Sequence, residues 1–177
     1  LPLLLDESSL LTIGQLRARA RRLKKQHNIE ILIVDYLQLL TSGTDRAKEN
    51  RQVEVSEISR GLKALAMELN IPVVVLAQLN RKPEETNSDP ALHHLRESGS
   101  IEQDADVVLL LSRESPSDEP ENQGSPEEGE AQPMAANVRG IPCKLNIAKQ
   151  RNGPTDRIRL LFQPRFTRFD SLPREAR

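Results

Sequence analysis

The chain is 177 residues long, enough for one domain of ordinary size with a core of its own. Its 25 basic and 26 acidic side chains nearly cancel, a balance that leaves room for local patches of either sign and does not exclude a nucleic-acid partner. The single cysteine, Cys143, excludes an internal disulfide, and with no tryptophan and one tyrosine, aromatic stacking on bases cannot dominate. Cys143 sits in an apolar strand pattern and reads as packing. The sequence contains no signal peptide and no apolar run long enough to cross a bilayer, so the expected location is the cytosol.

The chain opens without methionine on LPLLLD, a strand-like run with nothing before it to pair with, and reads as a piece of a larger polypeptide. LTIGQLRARARRLKKQH then predicts a helix. Thr12 is the expected N-cap with Gln15 three residues on, and Leu11 and Leu16 occupy the hydrophobic-staple positions. Ile13, Leu16, Ala20 and Leu23 share one face, while Arg17, Arg19, Arg21, Arg22, Lys24 and Lys25 fill much of the rest. That basic face reads as solvated surface, with an anionic partner as the alternative.

A strand is expected at 30–35, followed by the polar loop TSGTDRAKENRQ and a second helix over roughly 51–69 with Ile58, Leu62, Leu65 and Leu69 inward. IPVVVLAQ (71–78) and DVVLLLS (106–112) are further continuous apolar strands. Short connections and uninterrupted β-branched runs predict parallel strands covered by helices on both sides. Residues 114–137 hold seven acidic residues, no basic residue and four prolines, the composition of a disordered insertion. CKLNIAKQRNGPTDRIRLLF then reads as two strands joined by an NGPT turn, a C-terminal β-hairpin, and no internal repeat is visible.

In an open parallel sheet, ligands sit beyond the carboxyl ends of the strands. Asp35 ends ILIV, Gln78 ends VVVLA, and Lys149 and Arg151 follow LNIA. Each alone is a weak signal, since an Asp after an apolar strand is more often a cap or turn residue. Together on one edge they suit phosphate and magnesium. Asp35 would hold Mg²⁺ largely through water. Gln78 can contact a terminal phosphate or an attacking water, and Lys149 and Arg151, two apart on a strand, would leave the same face to stabilise a transferring phosphoryl group.

The stretches ILIVDYLQLL, SRGLKALAMELNIPVVVLAQLNR, LRESGSIEQDADVVLLLSR and AKQRNGPT closely resemble the C-terminal, RecA-like motor domain of DnaB-family replicative DNA helicases, in the family's order and over nearly the whole chain apart from the acidic insertion. The resemblance implies an α/β fold: a RecA-like P-loop NTPase core, mostly parallel sheet flanked by helices, with a C-terminal β-hairpin, incomplete at its N-terminus. It implies a homo-hexameric ring that encircles single-stranded DNA and hydrolyses ATP with Mg²⁺ at subunit interfaces, with primase and a helicase loader as partners. Asp35 matches the Walker B carboxylate, Gln78 the residue that senses the γ-phosphate, and Lys149 and Arg151 the basic pair reaching the neighbouring subunit's ATP, Arg151 as arginine finger. Arg96, Glu97 and Gly99 in RESG match a loop facing the central channel, and the segment around Asn50 and Arg51 resembles another channel loop. Arg96 and Glu97 also admit the plainer reading of a local ion pair at a helix end.

No G-x-x-x-x-G-K-[ST] pattern starts at any of the eight glycines. The family's Walker A segment, catalytic acid and collar domain are expected before Leu1. Two departures from the family pattern are the NGPTD turn, where a Gly usually follows the Thr, and the length of the acidic insertion. Two functions are therefore expected: part of an ATP-driven replicative helicase motor, active only when joined to its other half, or a truncated, non-catalytic module that joins rings or binds single-stranded DNA.

Overall fold

The computed structural model describes residues 2–44, 50–79, 90–92, 99–114 and 140–172. The chain divides into two compact units, residues 1–83 with 91–105 and residues 84–90 with 106–177. The first carries helix α1 (Ile13–His27), strand β1 (Leu32–Val34), a 3-10 turn at Leu37–Leu39, helix α2 (Arg51–Leu69), strand β2 (Val73–Val75) and the short helix α3 (Gly99–Asp104). The second carries β3 (Val107–Arg113), β4 (Ile141–Gln150), β5 (Arg157–Gln163), a 3-10 turn at Pro164–Phe166 and β6 (Arg168–Ser171).

The α1 start is a complete capping box: the Thr12 hydroxyl accepts from the Gln15 amide, and the Gln15 side chain accepts from the Thr12 amide. Leu16 and Ala20 are buried as the spacing predicts. The helix stops at Asn28, which takes the left-handed conformation (φ 49°) and donates its N–H to the Lys24 carbonyl. Much of the basic face is answered by acids of the same chain. Arg17 and Arg21 both pair with Glu68 of α2, and Arg19 pairs with Asp6. The Arg21 guanidinium, with help from Arg17, holds the Glu68 carboxyl at about 2, well below its ordinary 4.5.

Helix α2 begins after Asn50, whose side chain accepts from the amides of Gln52 and Val53, and ends at Asn70 (φ 51°). Val55, Ile58, Leu62 and Leu65 are buried, with Ile58 and Leu65 at 0% exposure. Burying one such side chain contributes about 1.5–3 kcal/mol. Gly61 lets α1 approach: a Cβ there would lie 2.5 Å from Ile13 Cγ1. The core joins Leu16, Val34, Leu37, Leu40, Val55, Ile58 and Leu62, with Leu32, Val73, Val75 and Ile101 packed against it.

Strands β1 and β2 are parallel, with Leu32 opposite Val73 and Val34 opposite Val75. Leu32, Val34, Val73 and Val75 face that helical core. The other face is open: Ile31, Ile33, Val74 and Leu76 are between 44% and 60% exposed. Among the described residues α1 and α2 cover the opposite face of this pair. LPLLLD forms no strand either; Leu3 and Leu5 are each 77% exposed.

The second unit is a four-stranded antiparallel sheet in the order β3-β4-β5-β6. The hairpin predicted around NGPT is there, joining β4 to β5 and pairing Asn146 with Arg157. The run DVVLLLS, expected to be parallel, pairs antiparallel with β4. An apolar run reports burial and not direction, and β3 alternates: Val108 and Leu110 are buried, while Val107, Leu109 and Leu111 are about half exposed. Cys143 is buried in β4, and that burial pushes its thiol pKa up, as suits a packing residue. Of the acidic segment 114–137, residues 115–137 lie outside the described residues.

Candidate nucleotide and DNA-facing residues

Asp35 and Gln78 meet at one end of the parallel pair. Asp35 follows β1 directly, and Gln78 lies three residues past the end of β2. The ladder continues past both strands: Leu76 N–H donates to the Val34 carbonyl at 3.0 Å, and Leu37 N–H donates to the Leu76 carbonyl at 2.8 Å. The Gln38 side-chain amide then donates to the Gln78 carbonyl at 3.3 Å. The polar residues beyond the carboxyl ends are therefore held in fixed register, the usual ligand edge of an open α/β sheet.

Both side chains are exposed, and neither makes a hydrogen bond or ion pair with the described residues. The plain reading of Asp35 as a helix cap is not met: the following 3-10 turn is preceded by Tyr36 and has no side-chain cap bond. Among the described residues, no group of three or more His, Cys, Asp or Glu side chains could hold a metal ion. A single available carboxylate does fit Mg²⁺ held jointly with nucleotide phosphates, since Mg²⁺ keeps most of its waters and needs only one or two protein carboxylates.

Lys149 and Arg151 are in the second unit. The expectation that they share the parallel edge with Asp35 and Gln78 is not met: Lys149 lies near the end of antiparallel β4, in a different sheet, and Arg151 in the turn after it. Val108 faces Lys149 while Leu109 faces Ile147, so Ala148 is an extra residue on β4 and the strand bulges there. Beyond the bulge, Arg151 N–H donates to the Asp106 carbonyl at 2.9 Å, and its guanidinium lies 3.6 Å from the Asp106 carboxylate. Both side chains of that pair are about half exposed, at 51% and 52%. An ion pair this exposed is worth about 0–1 kcal/mol, too little to keep the guanidinium from a phosphate. The backbone bond fixes the root of Arg151.

Asn50 and Arg51 have structural partners. Asn50 caps α2, and Arg51 lies 2.5 Å from Glu54. Gly99 opens α3, exposed, with nothing within 4 Å of where a Cβ would stand. Arg96 and Glu97 lie outside the described residues. Sequence reasoning missed the Ala148 bulge and the Asp106 anchor. The bulge leaves no composition signal; the anchor is an Asp just before an apolar strand, where Asp35 stands just after one.

A profile of the DnaB-like helicase C-terminal domain matches residues 1–171. The chain belongs to that family. Among the DnaB replicative helicases, it is 48% identical to that of Leifsonia xyli subsp. xyli over 169 residues, covering 95% of this chain and 33% of the relative. It is 48% identical to that of Mycobacterium leprae over 174 residues, covering 98% and 26%, and 42% identical to that of Geobacillus stearothermophilus over 171 residues, covering 96% and 34%. The chain thus spans about a quarter to a third of the length of these DnaB relatives. A solved ATPase domain superposes with a TM-score of 0.70 at 30% identity, over 92% of this chain and 52% of that one. A DnaB-like replicative helicase, solved in a study of its interactions with primase, gives a TM-score of 0.71 at 30% identity, over 92% and 35%. The fold is accordingly the RecA-like ATPase core of the DnaB helicases. No described helix is long and apolar enough to cross a membrane.

Proposed function

We propose that this chain is the carboxyl-terminal part of the ATPase motor of a hexameric replicative DNA helicase, acting in the cytoplasm at the replication fork. The observation that carries the reading is the placement of two exposed polar side chains, Asp35 and Gln78, neither bonded to the described residues, at the carboxyl end of one parallel pair in a DnaB-family chain. When bound, Mg²⁺ supplies charge neutralisation across the nucleotide phosphates. Asp35 would be the carboxylate that holds it, which suits an ion that keeps much of its hydration shell. Gln78 contacts the terminal phosphate or orients the attacking water, which its paired donor and acceptor allow. Lys149 and Arg151 reach the neighbouring subunit's nucleotide and stabilise the charge that develops on phosphoryl transfer. Arg51, Asn50 and Gly99, with Arg96 and Glu97, face single-stranded DNA, where arginine side chains and backbone N–H groups hold its phosphates without reading bases. Primase and a loader complete the set of partners.

The test compares ATPase and strand separation of a full-length polypeptide carrying this segment with those of the chain alone. Turnover is expected in the first and not in the second. A phosphate cradle of four charge-assisted hydrogen bonds at about 1.5–3 kcal/mol each would be worth several powers of ten in affinity. Micromolar ATP binding by the isolated chain would sink that part of the reading. Asp35→Asn in the full-length protein is expected to abolish Mg²⁺-dependent hydrolysis; a full-length polypeptide that binds single-stranded DNA but never turns over ATP would favour the non-catalytic module.

A further inference from the structure

Helix α3 is only six residues long (Gly99–Asp104), far below the length at which a helix persists by itself. Among the described residues its contacts with α2 include an apolar anchor, Ile101, and two side-chain hydrogen bonds. Ser59, 7% exposed, donates to the Asp104 carboxylate at 2.7 Å. Ser56 Oγ lies 3.0 Å from Ser100 Oγ and 2.8 Å from the Gln52 carbonyl. A hydroxyl has one proton, so if Ser56 gives its own to Gln52, Ser100 must be the donor between the serines.

The pairings also fix direction. Residue 56 meets 100 and residue 59 meets 104, so the two helices run side by side with their amino ends together. Gly99 is one residue before Ser100. Asn50 and Arg51 lie five to six residues before Ser56, about 9 Å at the α-helical rise. Two segments assigned to DNA therefore hang from the same end of one helical pair. The apolar contact through Ile101 has no direction, whereas the two hydrogen bonds set both the rotation and the axial position of α3 on α2.

We propose that Ser56, Ser59, Ser100 and Asp104 form a clamp that makes the Asn50–Arg51 segment and the Gly99 segment one DNA-engaging unit. The inference rests on the DNA-facing reading of those segments. The clamp residues are positioning residues: none touches the nucleotide edge at Asp35 and Gln78, and the hydroxyls and carboxylate face each other across the α2–α3 contact. DNA seen by one segment is then felt by the other, so binding at Gly99 and binding at Arg51 strengthen one another.

The experiment uses a full-length hexamer carrying this segment, with oligo-dT as the probe and Ser59→Ala, Asp104→Ala and Asp104→Asn as variants. An Asn at 104 keeps an acceptor for Ser59, so it should behave as wild type. The two Ala variants should weaken oligo-dT binding and DNA-stimulated ATPase by about tenfold, the value of roughly one hydrogen bond to a charged group. Basal ATPase should stay within about twofold, and the salt slope should be unchanged because no phosphate contact is removed. Equal loss of basal and stimulated activity, or unchanged oligo-dT binding in Ser59→Ala, or failure of Asp104→Asn to restore binding, would each overturn the clamp. Arg51→Ala, run alongside, separates the two ideas. If it lowers the salt slope while Ser59→Ala does nothing, the DNA-facing reading stands and the clamp falls. If it changes neither affinity nor slope, the DNA-facing reading fails, and the clamp fails with it.

Discussion

Asn50 carries two readings that one substitution separates. Its side chain caps α2 by accepting from Gln52 N–H at 2.9 Å and Val53 N–H at 3.4 Å, and it also lies in a segment assigned to DNA. Asn50→Ala removes both roles at once and so decides nothing: it is expected to cost about 1 kcal/mol of stability, or about 2–4 °C in Tm for a domain of this size. Asn50→Asp is different. A carboxylate accepts from the same two amides and meets the positive end of the helix dipole, so stability should hold or rise by about 0.3–1 kcal/mol. Towards DNA, the same change sets a negative charge beside a phosphate. Two like charges 4 Å apart repel by about 1 kcal/mol in water and about 4 kcal/mol near a protein surface, which is at least about fivefold in affinity. Fluorescence anisotropy of labelled oligo-dT at several salt concentrations, paired with thermal melts, reads both quantities on one hexameric protein. The expected result is an unchanged or raised Tm with weaker binding and a shallower salt slope. If Asn50→Asp melts as expected and binds oligo-dT with the wild-type affinity and slope, Asn50 is a cap and nothing more.

Gly61→Ala gains about 1 kcal/mol of helix propensity. It also drives a Cβ to 2.5 Å from Ile13 Cγ1, an overpacking cost of about 1–3 kcal/mol. The net is a lower unfolding midpoint in denaturant, relieved by Ile13→Ala; a midpoint that rises would show that α1 yields freely. Arg151→Ala in the full-length ring should cut kcat by about 10³-fold or more with nucleotide affinity retained at the subunit's own site, and unchanged turnover would remove the finger assignment. Glu68, held at about 2 by Arg21 and Arg17, has its pKa lowered on folding from the ordinary 4.5. Its contribution is therefore complete above about pH 4.5 and lost as the pH falls towards 2, so acid unfolding of wild type and Glu68→Gln should converge across that window. Cys143 should label with a thiol reagent only as fast as the sheet opens, which a denaturant series reads; labelling at the rate of a free thiol would contradict its burial.

What the sequence made legible was whatever depends on near neighbours along the chain. Thr12 with Gln15, the apolar spacing from Ile58 to Leu65, and the NGPT turn are all local chemistry, and the elements they mark form as read. Asp35 and Gln78 were legible for a related reason: each ends a run whose strand character is intrinsic, and parallel pairing brings the two ends together. The direction of β3 was not legible, because the side chains of an apolar run look the same whichever way its partner points. Neither was the placement of Lys149 and Arg151, which depends on an extra residue at Ala148 and on that antiparallel pairing. The β6 strand at Arg168–Ser171 went unread too; it is reached through Thr167 in the left-handed conformation (φ 48°), one that residue type alone does not announce.

The open face of β1 and β2 bears on how such a chain must be handled. Ile31, Ile33, Val74 and Leu76 offer a patch that water does not wet and that another chain can. A parallel pair only three residues long on each strand has little ladder to defend it. Concentration and salt will therefore bear on recovery of monodisperse material. Ile33→Lys and Val74→Lys, both on that face, are the changes that should keep an isolated preparation in solution, at the cost of whatever that face is meant to meet.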